Sequence, residues 1–370
     1  TCALPILKNN NILEIHNPMK TQILQASIAA ILAAAPVLSA TADVKIFGGV
    51  QVEYSNEDLE GQSAEQGVDD TNFYSNIGFT ATEKLGNGMT AIAQIAFTFN
   101  PAGDDNTGFT NDDIFVALEH KKWGFIGMGT FTSPYSSTGD RLDGFYETNM
   151  EAVGAGGMTS GGTVIGHDGA VNSAIYYRSP TWNNLTIDYV ISPDEKNNGV
   201  LDNNTTVQDG DDNDFAVALT YEQGPLYAFL AYGQNNIEDT NTEEAWKIGG
   251  QASMGAHTLS AQYEWVSDSN SLVAQNTNAN GVSDFSEITA TEDGEVWFLG
   301  YQFKAGNNTF IAQLGGTDSE DAGNDADYFA LGMFHHFSKR TSFFAGYSES
   351  DANNNEADRE VVSLGLRKDF

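Results

Sequence analysis

Glu360-Val361-Val362-Ser363-Leu364-Gly365-Leu366-Arg367-Lys368-Asp369-Phe370 ends the chain, and Val362, Leu364, Leu366 and Phe370 recur at alternate positions in it. Successive side chains of a β-strand point to opposite faces, so one face of this strand is apolar and the other is small or polar. A strand that crosses a bilayer needs this pattern, because lipid offers its backbone no hydrogen-bond partner and its outer face meets hydrocarbon. The pattern predicts the closing strand of a transmembrane barrel. An edge strand of a soluble sandwich would alternate in the same way.

The other end of the chain has the organisation of a secretory signal. Met19-Lys20 begins a short basic region, residues 23–38 form an apolar run, and Ala40-Thr41-Ala42 precedes Asp43. A basic start, an apolar run and small residues at a cleavage site are typical of a signal peptide. We therefore predict a signal peptide over residues 19–42 and a barrel over residues 43–370. Residues 1–18, with Cys2, are interpreted as upstream, non-native sequence.

The charge and cysteine content exclude several classes of protein. The chain carries 51 acidic and 16 basic residues, a net charge of −35 at pH 7. Nucleic acid is excluded as a partner, because phosphate binding needs clustered Lys and Arg. Cys2 is the one cysteine, so a mature chain from Asp43 has no disulfide, thiol nucleophile or cysteine metal site.

Strand-like runs alternate with two kinds of connection along the predicted mature chain. Seven short turns fall at residues 84–88, 120–124, 181–184, 222–225, 253–256, 303–308 and 337–340. Eight long polar loops fall at residues 55–71, 100–111, 132–171, 192–212, 234–243, 267–293, 316–325 and 349–358. Strict alternation of the two kinds predicts an all-β fold, an antiparallel barrel of sixteen strands. A barrel of that size leaves a water-filled lumen.

Charge is divided between the two kinds of connection. The long loops contain only Arg141 and Lys196 as basic residues. The short turns carry Lys84, Lys121, Lys122, Lys304, Lys339 and Arg340. The long-loop rim is therefore predicted to be negative, and around a pore mouth such a field concentrates cations. Acidic loops that only remain solvated would have the same composition.

The chain resembles the Gram-negative general diffusion porins of the sixteen-stranded, trimeric type. The resemblance is carried by DVKIFGGVQVEY from residue 43, SNIGFTATEKLGNGMTAIAQIAF from residue 75, WGFIGMGTFTSPY from residue 123 and SAIYYRSPTWNNLTIDYVIS from residue 173. It continues through FSKRTSFFAGYS from residue 337 to the closing GLRKDF. It thus extends over the whole of the predicted mature chain.

The resemblance implies an outer-membrane channel of a Gram-negative bacterium through which small hydrophilic solutes diffuse passively. It also implies a homotrimer, contact with outer-membrane lipid and lipopolysaccharide, and assembly by periplasmic chaperones and barrel-insertion machinery. Phe370 is then the assembly signal recognised by that machinery. The third loop is expected to fold into the lumen and form a constriction. A substrate-specific outer-membrane channel and a secreted acidic β-sandwich or adhesin remain alternatives.

The third loop supplies the candidate constriction residues. The family's constriction segment corresponds to residues 135–147, so we expect Asp140, Asp143, Glu147 and Glu151 at the narrowest point. The simpler alternatives are an exposed acidic loop and an internal ion pair with Arg141.

The predicted pore wall departs from the family. Positions where the family commonly has arginine hold Asn76, Thr130 and the nonbasic residues 168–172. Arg178 would restore some positive charge to the pore wall, but it lies near the end of its strand. Carboxylates on one side without arginines on the other favour cations and repel anions, so we predict a cation preference.

Little in the sequence indicates chemistry other than permeation. His335 and His336 are adjacent on a strand and point to opposite faces, so they cannot chelate one metal together. The acidic runs at residues 209–214 and 318–321 lack the spacing of a calcium loop, although they leave weak Ca²⁺ binding open. No serine, histidine and carboxylate spacing indicates a hydrolytic site. We predict no enzyme activity, no cofactor and no catalytic or metal site.

Overall fold

A computed structural model describes ten stretches of the chain. They are residues 42–59, 64–69, 74–103, 108–152, 170–193, 214–236, 242–269, 292–320, 325–352 and 358–370. Residues 19–41 of the predicted signal peptide and residues 209–213 of the acidic run at 209–214 lie outside the described residues.

The described residues form seventeen antiparallel strands and one short helix. The strands are β1 Asp43–Leu59, β2 Glu65–Asp69, β3 Asn76–Gly86, β4 Met89–Phe99, β5 Phe109–His120, β6 Gly124–Thr132, β7 Ala170–Arg178, β8 Leu185–Ser192, β9 Asp214–Gln223, β10 Leu226–Asn236, β11 Thr242–Met254, β12 His257–Ser269, β13 Glu292–Ala305, β14 Asn308–Ser319, β15 Ala326–Ser338, β16 Thr341–Ala352 and β17 Arg359–Asp369. The helix, α1, is Pro134–Asp140. Within the described residues, no helix has the length and apolar character needed to cross a membrane.

Strand β1 closes the sheet into a barrel. Its first part pairs with β3 from Asp43 to Gly49, and the remainder pairs with β17 from Gly49 to Leu59. Each other barrel strand pairs with its neighbours in chain order. Among the described strands, β2 pairs only with β1, so the closed barrel contains sixteen strands, which confirms the predicted fold and strand number.

Several predicted loops are shorter in the structure. The predicted loop at 55–71 is partly strand, because β1 continues to Leu59 and forms a hairpin with β2. Strands also extend into the predicted loops at 234–243, 316–325 and 349–358, since β10 continues to Asn236, β14 to Ser319 and β16 to Ala352. Their polar residues continue the backbone ladder, which needs no apolar side chains. We call the rim of the barrel that carries these connections the long-loop end and the opposite rim the short-turn end.

The two faces of the barrel wall differ as the alternation predicts. On β17, Val362, Leu364 and Leu366 are 52%, 44% and 53% exposed, whereas the residues between them are buried. On β1, Gln51 and Glu53 are buried on the opposite face. The exposed face is thus apolar, and the buried face carries polar and charged groups.

Gly48 provides a test of barrel closure. It has a φ of +147°, and a Cβ atom there would lie 2.3 Å from the main-chain oxygen of Asn76 on β3. Because backbone cannot easily yield, Gly48→Ala should destabilise the barrel by about 1–3 kcal/mol. Gly67→Ala is the matched control, since a Cβ atom at Gly67 meets nothing within 4 Å. Urea unfolding midpoints check this, and equal midpoints for the two variants would contradict it.

Candidate functional site

The connection between β6 and β7 begins with residues 133–152, called here the third-loop segment. Its side chains Tyr135, Leu142, Phe145, Met150 and Ala152 are completely buried. The segment starts with α1, whose N-cap hydroxyl of Ser133 accepts a hydrogen bond of 3.2 Å from the Tyr135 amide. Burial of this kind requires close packing, and residues of the segment hydrogen-bond to side chains of β10, β12 and β14.

A buried ion pair lies under α1. Lys247 on β11 and Glu264 on β12 are both 0% exposed, and Lys247 Nζ is 3.9 Å from Glu264 Oε1. The hydroxyl of Tyr135 donates to Glu264 Oε2 at 3.3 Å. Lys247 Nζ also lies 4.3 Å from the centroid of the Tyr135 ring, a cation–π contact. The wall thus holds the helix through charged groups that no solvent reaches.

Neutral donors of the wall hold the next part of the segment. The Tyr227 hydroxyl donates to the Thr138 carbonyl at 3.1 Å, and Ser260 Oγ donates to the Leu142 carbonyl at 2.9 Å. These bonds satisfy main-chain carbonyl groups that would otherwise be buried without partners. Strands β10 and β12 therefore fix the course of the segment after α1.

Asp143 is a structural residue of the segment. Its Oδ1 accepts bonds from the Phe145 amide and from Gln313 Nε2, each of 2.7 Å, and its Oδ2 accepts from the Ala152 amide at 2.8 Å. The side chain is buried. Its charge therefore stabilises a turn, and of the four predicted constriction carboxylates it is the least accessible.

Arg367 of β17 binds the tip of the segment. Its Nη2 donates to the carbonyl groups of Tyr146 and Glu147 at 3.1 and 3.2 Å, and its Nε donates to Gln51 Oε1 at 2.7 Å. Gln51 Nε2 in turn donates to the Glu147 carbonyl at 2.6 Å. The last strand and the first strand therefore hold the same turn.

A second arginine of β17, Arg359, binds the part of the segment that follows Glu147. Arg359 Nη1 donates to the Asn149 carbonyl at 3.2 Å, while its Nε donates to Glu57 Oε1 at 2.5 Å. The Asn149 amide donates to Glu53 Oε1 at 3.1 Å. Sequence reasoning missed Arg359 and Arg367 as site residues. Both arginines lie an odd number of residues from Val362 on β17, so their side chains are on the opposite, polar face. The alternation of apolar and polar residues in this strand could have identified them.

The other three predicted constriction carboxylates are partly accessible. Asp140, Glu147 and Glu151 are each half-buried. Burial raises the pKa of Asp140 to about 7, and burial with the nearby Asp143 charge raises the pKa of Glu151 well above its usual value. Glu151 Oε2 accepts a 2.6 Å bond from the Glu147 amide. Arg141 pairs with Glu222 of β9, outside the segment.

The predicted wall residues lie on different faces. Asn76 pairs directly with Gly49, so the two residues lie on the same face of the sheet. Gly49 shares that face with the buried Gln51, two residues along β1, and Asn76 therefore lies on the polar face. The placement of Thr130 on the pore wall is wrong, because Thr130 pairs with Ile114 in an unbroken register from Gly124. It therefore shares the exposed face of Met128, two residues earlier on β6.

Arg178 lies near the short-turn end of β7, as predicted. Its Nε is 2.5 Å from Asp188 Oδ1, and its Nη2 donates to the Tyr176 hydroxyl at 3.0 Å. It lines a cavity of about 790 Å³ together with Arg141 and Glu222. Its charge is thus locally balanced by an acidic residue.

Phe370 lies beside the point of barrel closure. Its amide donates to the Gly48 carbonyl at 3.1 Å, and its ring is 46% exposed. Phe370 is thus hydrogen-bonded to β1, and its aromatic ring lies on the exposed face of the barrel.

Within the described part of the chain, no three His, Cys, Asp or Glu side chains form a group that could hold a metal ion. His335 and His336 have separate partners: His335 Nδ1 is 2.7 Å from Asn308 Oδ1, and His336 Nε2 is 3.2 Å from Thr309 Oγ1. The site is therefore made of the packed segment, its arginine contacts and its carboxylates.

A closed barrel of this size, with an apolar outer face and a polar face that binds a long connection, defines an outer-membrane channel. The family model of the Gram-negative porins matches residues 26–355. The chain therefore belongs to the Gram-negative porin family. It is an outer-membrane protein of a Gram-negative bacterium and a channel for passive diffusion.

Curated relatives agree with this assignment. The major outer membrane protein P.IB of Neisseria gonorrhoeae is 28% identical over 348 residues, covering 85% of this chain and 90% of the relative. The protein of the same name from Neisseria meningitidis serogroup B is 28% identical over 359 residues, covering 93% and 98%.

Solved structures share the fold. The anion-selective porin from Comamonas acidovorans has a TM-score of 0.68 at 17% identity, covering 89% of this chain and 100% of that chain. Salmonella typhi OmpF, in complex with daunomycin, has a TM-score of 0.65 at 15% identity, covering 88% and 97%.

Proposed function

We propose that the third-loop segment narrows the lumen and gives the channel a preference for cations. The proposal rests on the contrast between the acidic segment and the uncharged polar pairs of β3 and β4. The segment presents Asp140, Glu147 and Glu151, each half-buried. Carboxylates in a narrow, partly desolvated passage attract cations and repel anions. Reversal potentials under a salt gradient test this proposal.

The wall formed by β3 and β4 has no charged side chain at mid-height among the described residues. Cross-strand pairing aligns Asn76 with Thr98 and Thr80 with Gln94 on the polar face. Thr80 Oγ1 donates to Gln94 Oε1 at 3.2 Å. Hydroxyl and amide groups of this kind solvate ions of either sign, so the carboxylates of the segment determine the sign of the selectivity.

Anion preference is the second candidate. One structural neighbour carries the name anion-selective porin, and it shares the fold at 17% identity. Lys304, Lys339 and Arg367 line a cavity at the short-turn end of this chain and favour the same preference. The sign of the reversal potential separates the two candidates.

The assembly is part of the proposal. We propose a homotrimer in contact with outer-membrane lipid and lipopolysaccharide, delivered by periplasmic chaperones and inserted by barrel-insertion machinery. Membership of the porin family supports each of these partners. Cleavage of a signal peptide over residues 19–42 would be checked by N-terminal sequencing, which should begin at Asp43.

Deletion of Phe370 should reduce assembly more than stability. The Phe370 ring is exposed at the end of β17, where an aromatic residue anchors a strand at the membrane interface. The hydrogen bond from the Phe370 amide to the Gly48 carbonyl is one of many in the sheet, so its loss should cost little stability. We expect less trimer in membranes but a similar urea midpoint for the fraction that assembles. Wild-type amounts of membrane trimer would contradict this expectation.

The selectivity should depend on pH because of Asp140. Burial raises the pKa of its carboxyl group to about 7, so the group is mostly neutral below that pH and negative above it. The cation-to-anion permeability ratio should therefore rise between about pH 6 and pH 8. Asp140→Asn should remove the rise in this interval, and an unchanged rise in that variant would exclude Asp140 as its origin.

A further inference from the structure

A separate cavity lies between the third-loop segment and the short-turn end of β13–β17. Its volume is about 350 Å³, and Gly144 of the segment forms part of its boundary. The rest is formed by the polar faces of the five strands and by Tyr74. Its polar lining includes Lys304, Lys339, Arg367, Thr309 and Ser342.

The cations of this cavity are not neutralised. Among the described residues, no carboxylate lies within ion-pair distance of Lys304, Lys339 or Arg367. Within the described stretches, Arg367 donates only to neutral oxygen atoms, namely the side-chain amide of Gln51 and two main-chain carbonyl groups. The cavity therefore holds positive charge without the usual acidic partners.

Among the described residues, Asp369 is the one carboxylate that lines the cavity, and it already accepts a hydrogen bond. The Tyr74 hydroxyl donates to Asp369 Oδ1. The Arg367 guanidinium lies 3.8 Å from the centroid of the Tyr74 ring, a cation–π contact that fixes its orientation. With three cations and one carboxylate, the lining carries a net charge of +2 with His336 neutral.

Hydroxyl groups complete the lining. Thr309, Ser338, Thr341 and Ser342 all contribute to it. Ammonium, guanidinium and hydroxyl donors form strong hydrogen bonds with anionic oxygen atoms. A ligand with two negative charges also gains about twice the Coulomb energy of chloride at the same distance.

We propose that this cavity binds small dianionic oxyanions: sulfate, hydrogenphosphate or a short dicarboxylate. The site lies beside the permeation path, at the end of the lumen opposite the acidic long loops. It would raise the local concentration of such anions at that end of the channel. The inference goes beyond the proposed cation preference and does not depend on it.

Selenate, a sulfate analogue visible through its anomalous scattering, tests the site directly. Crystals of the full-length trimer soaked in selenate should show a selenium peak between Lys304, Lys339 and Arg367. Titration calorimetry of the detergent-solubilised protein should show selenate binding. The double variant Lys304→Gln/Lys339→Gln should weaken that binding at least tenfold and lose the peak.

A matched control removes the same charge from the same rim. Lys84→Gln/Lys122→Gln alters two lysines that do not line the cavity and should leave selenate binding within about twofold of wild type. Equal losses in both double variants would overturn the proposal in favour of a diffuse rim field. A wild-type crystal without a peak in the cavity would also overturn it. A channel that proved anion-preferring would refute the cation preference and leave this binding result unaffected.

Competition distinguishes the ligand sources. If hydrogenphosphate displaces selenate and succinate does not, the site takes tetrahedral oxyanions. If succinate displaces it equally well, the site takes dicarboxylates too. Displacement by chloride at equal concentration would contradict the required double charge.

Discussion

Lys247→Met should lower the free energy of unfolding by about 3–5 kcal/mol, because it leaves Glu264 as an uncompensated charge in the buried wall. Both side chains are completely buried in the structure, and the Tyr135 hydroxyl of α1 bonds to the same carboxylate. The loss should therefore also loosen the third-loop segment. Urea unfolding in lipid bilayers measures the first effect, and open-channel current noise measures the second.

A second variant separates loss of the ion pair from loss of packing. Lys247→Met/Glu264→Gln removes both charges and should recover most of the stability, because no buried charge is then left unpaired. Lys84→Met is the control for losing an exposed lysine and should change stability by less than about 0.5 kcal/mol. If the double variant were as unstable as Lys247→Met, the buried charge would not be the cause.

Asp140→Asn/Glu147→Gln should give the largest change in selectivity. Each carboxylate at about 4 Å from a permeating ion contributes up to about 1 kcal/mol at water-like dielectric, or roughly fivefold in permeability ratio. The cation-to-anion ratio should therefore fall severalfold at pH 8 in dilute KCl. Addition of Asn76→Arg on the polar face of β3 should lower the ratio further, because an arginine there attracts anions.

Two further variants keep this result interpretable. Glu360→Gln removes an exposed carboxylate on the outer face and should leave the ratio unchanged. Asp143→Asn should increase current noise more than it changes the ratio, because Asp143 holds the amides of Phe145 and Ala152. If Glu360→Gln shifted the ratio as strongly as Asp140→Asn/Glu147→Gln, the segment would not determine the selectivity.

Most of the fold could be predicted from the sequence, because strand alternation and turn composition are local signals. The sixteen barrel strands and the seven short turns are examples. The hairpin of β1 with β2 was missed because its polar residues resemble a loop. Helix α1 was also missed, although Ser133-Pro134 is a common N-cap and first-turn pair.

The site was less predictable because it depends on which distant residues meet. Thr130 was placed by family position, whereas its parity with Met128 puts it on the exposed face. The burial of Asp143 depends on Gln313, and the pair of Lys247 with Glu264 depends on the register of β11 with β12. No local pattern in the sequence specifies these contacts.

The reversal potential of the wild-type channel in a planar bilayer is the most direct test of the proposed selectivity. A KCl gradient kept below about 0.1 M leaves a Debye length of about 10 Å or more, so that lining charges act across the pore. We expect a reversal potential with the sign of cation preference at pH 8. A reversal potential with the sign of anion preference under the same gradient would contradict it.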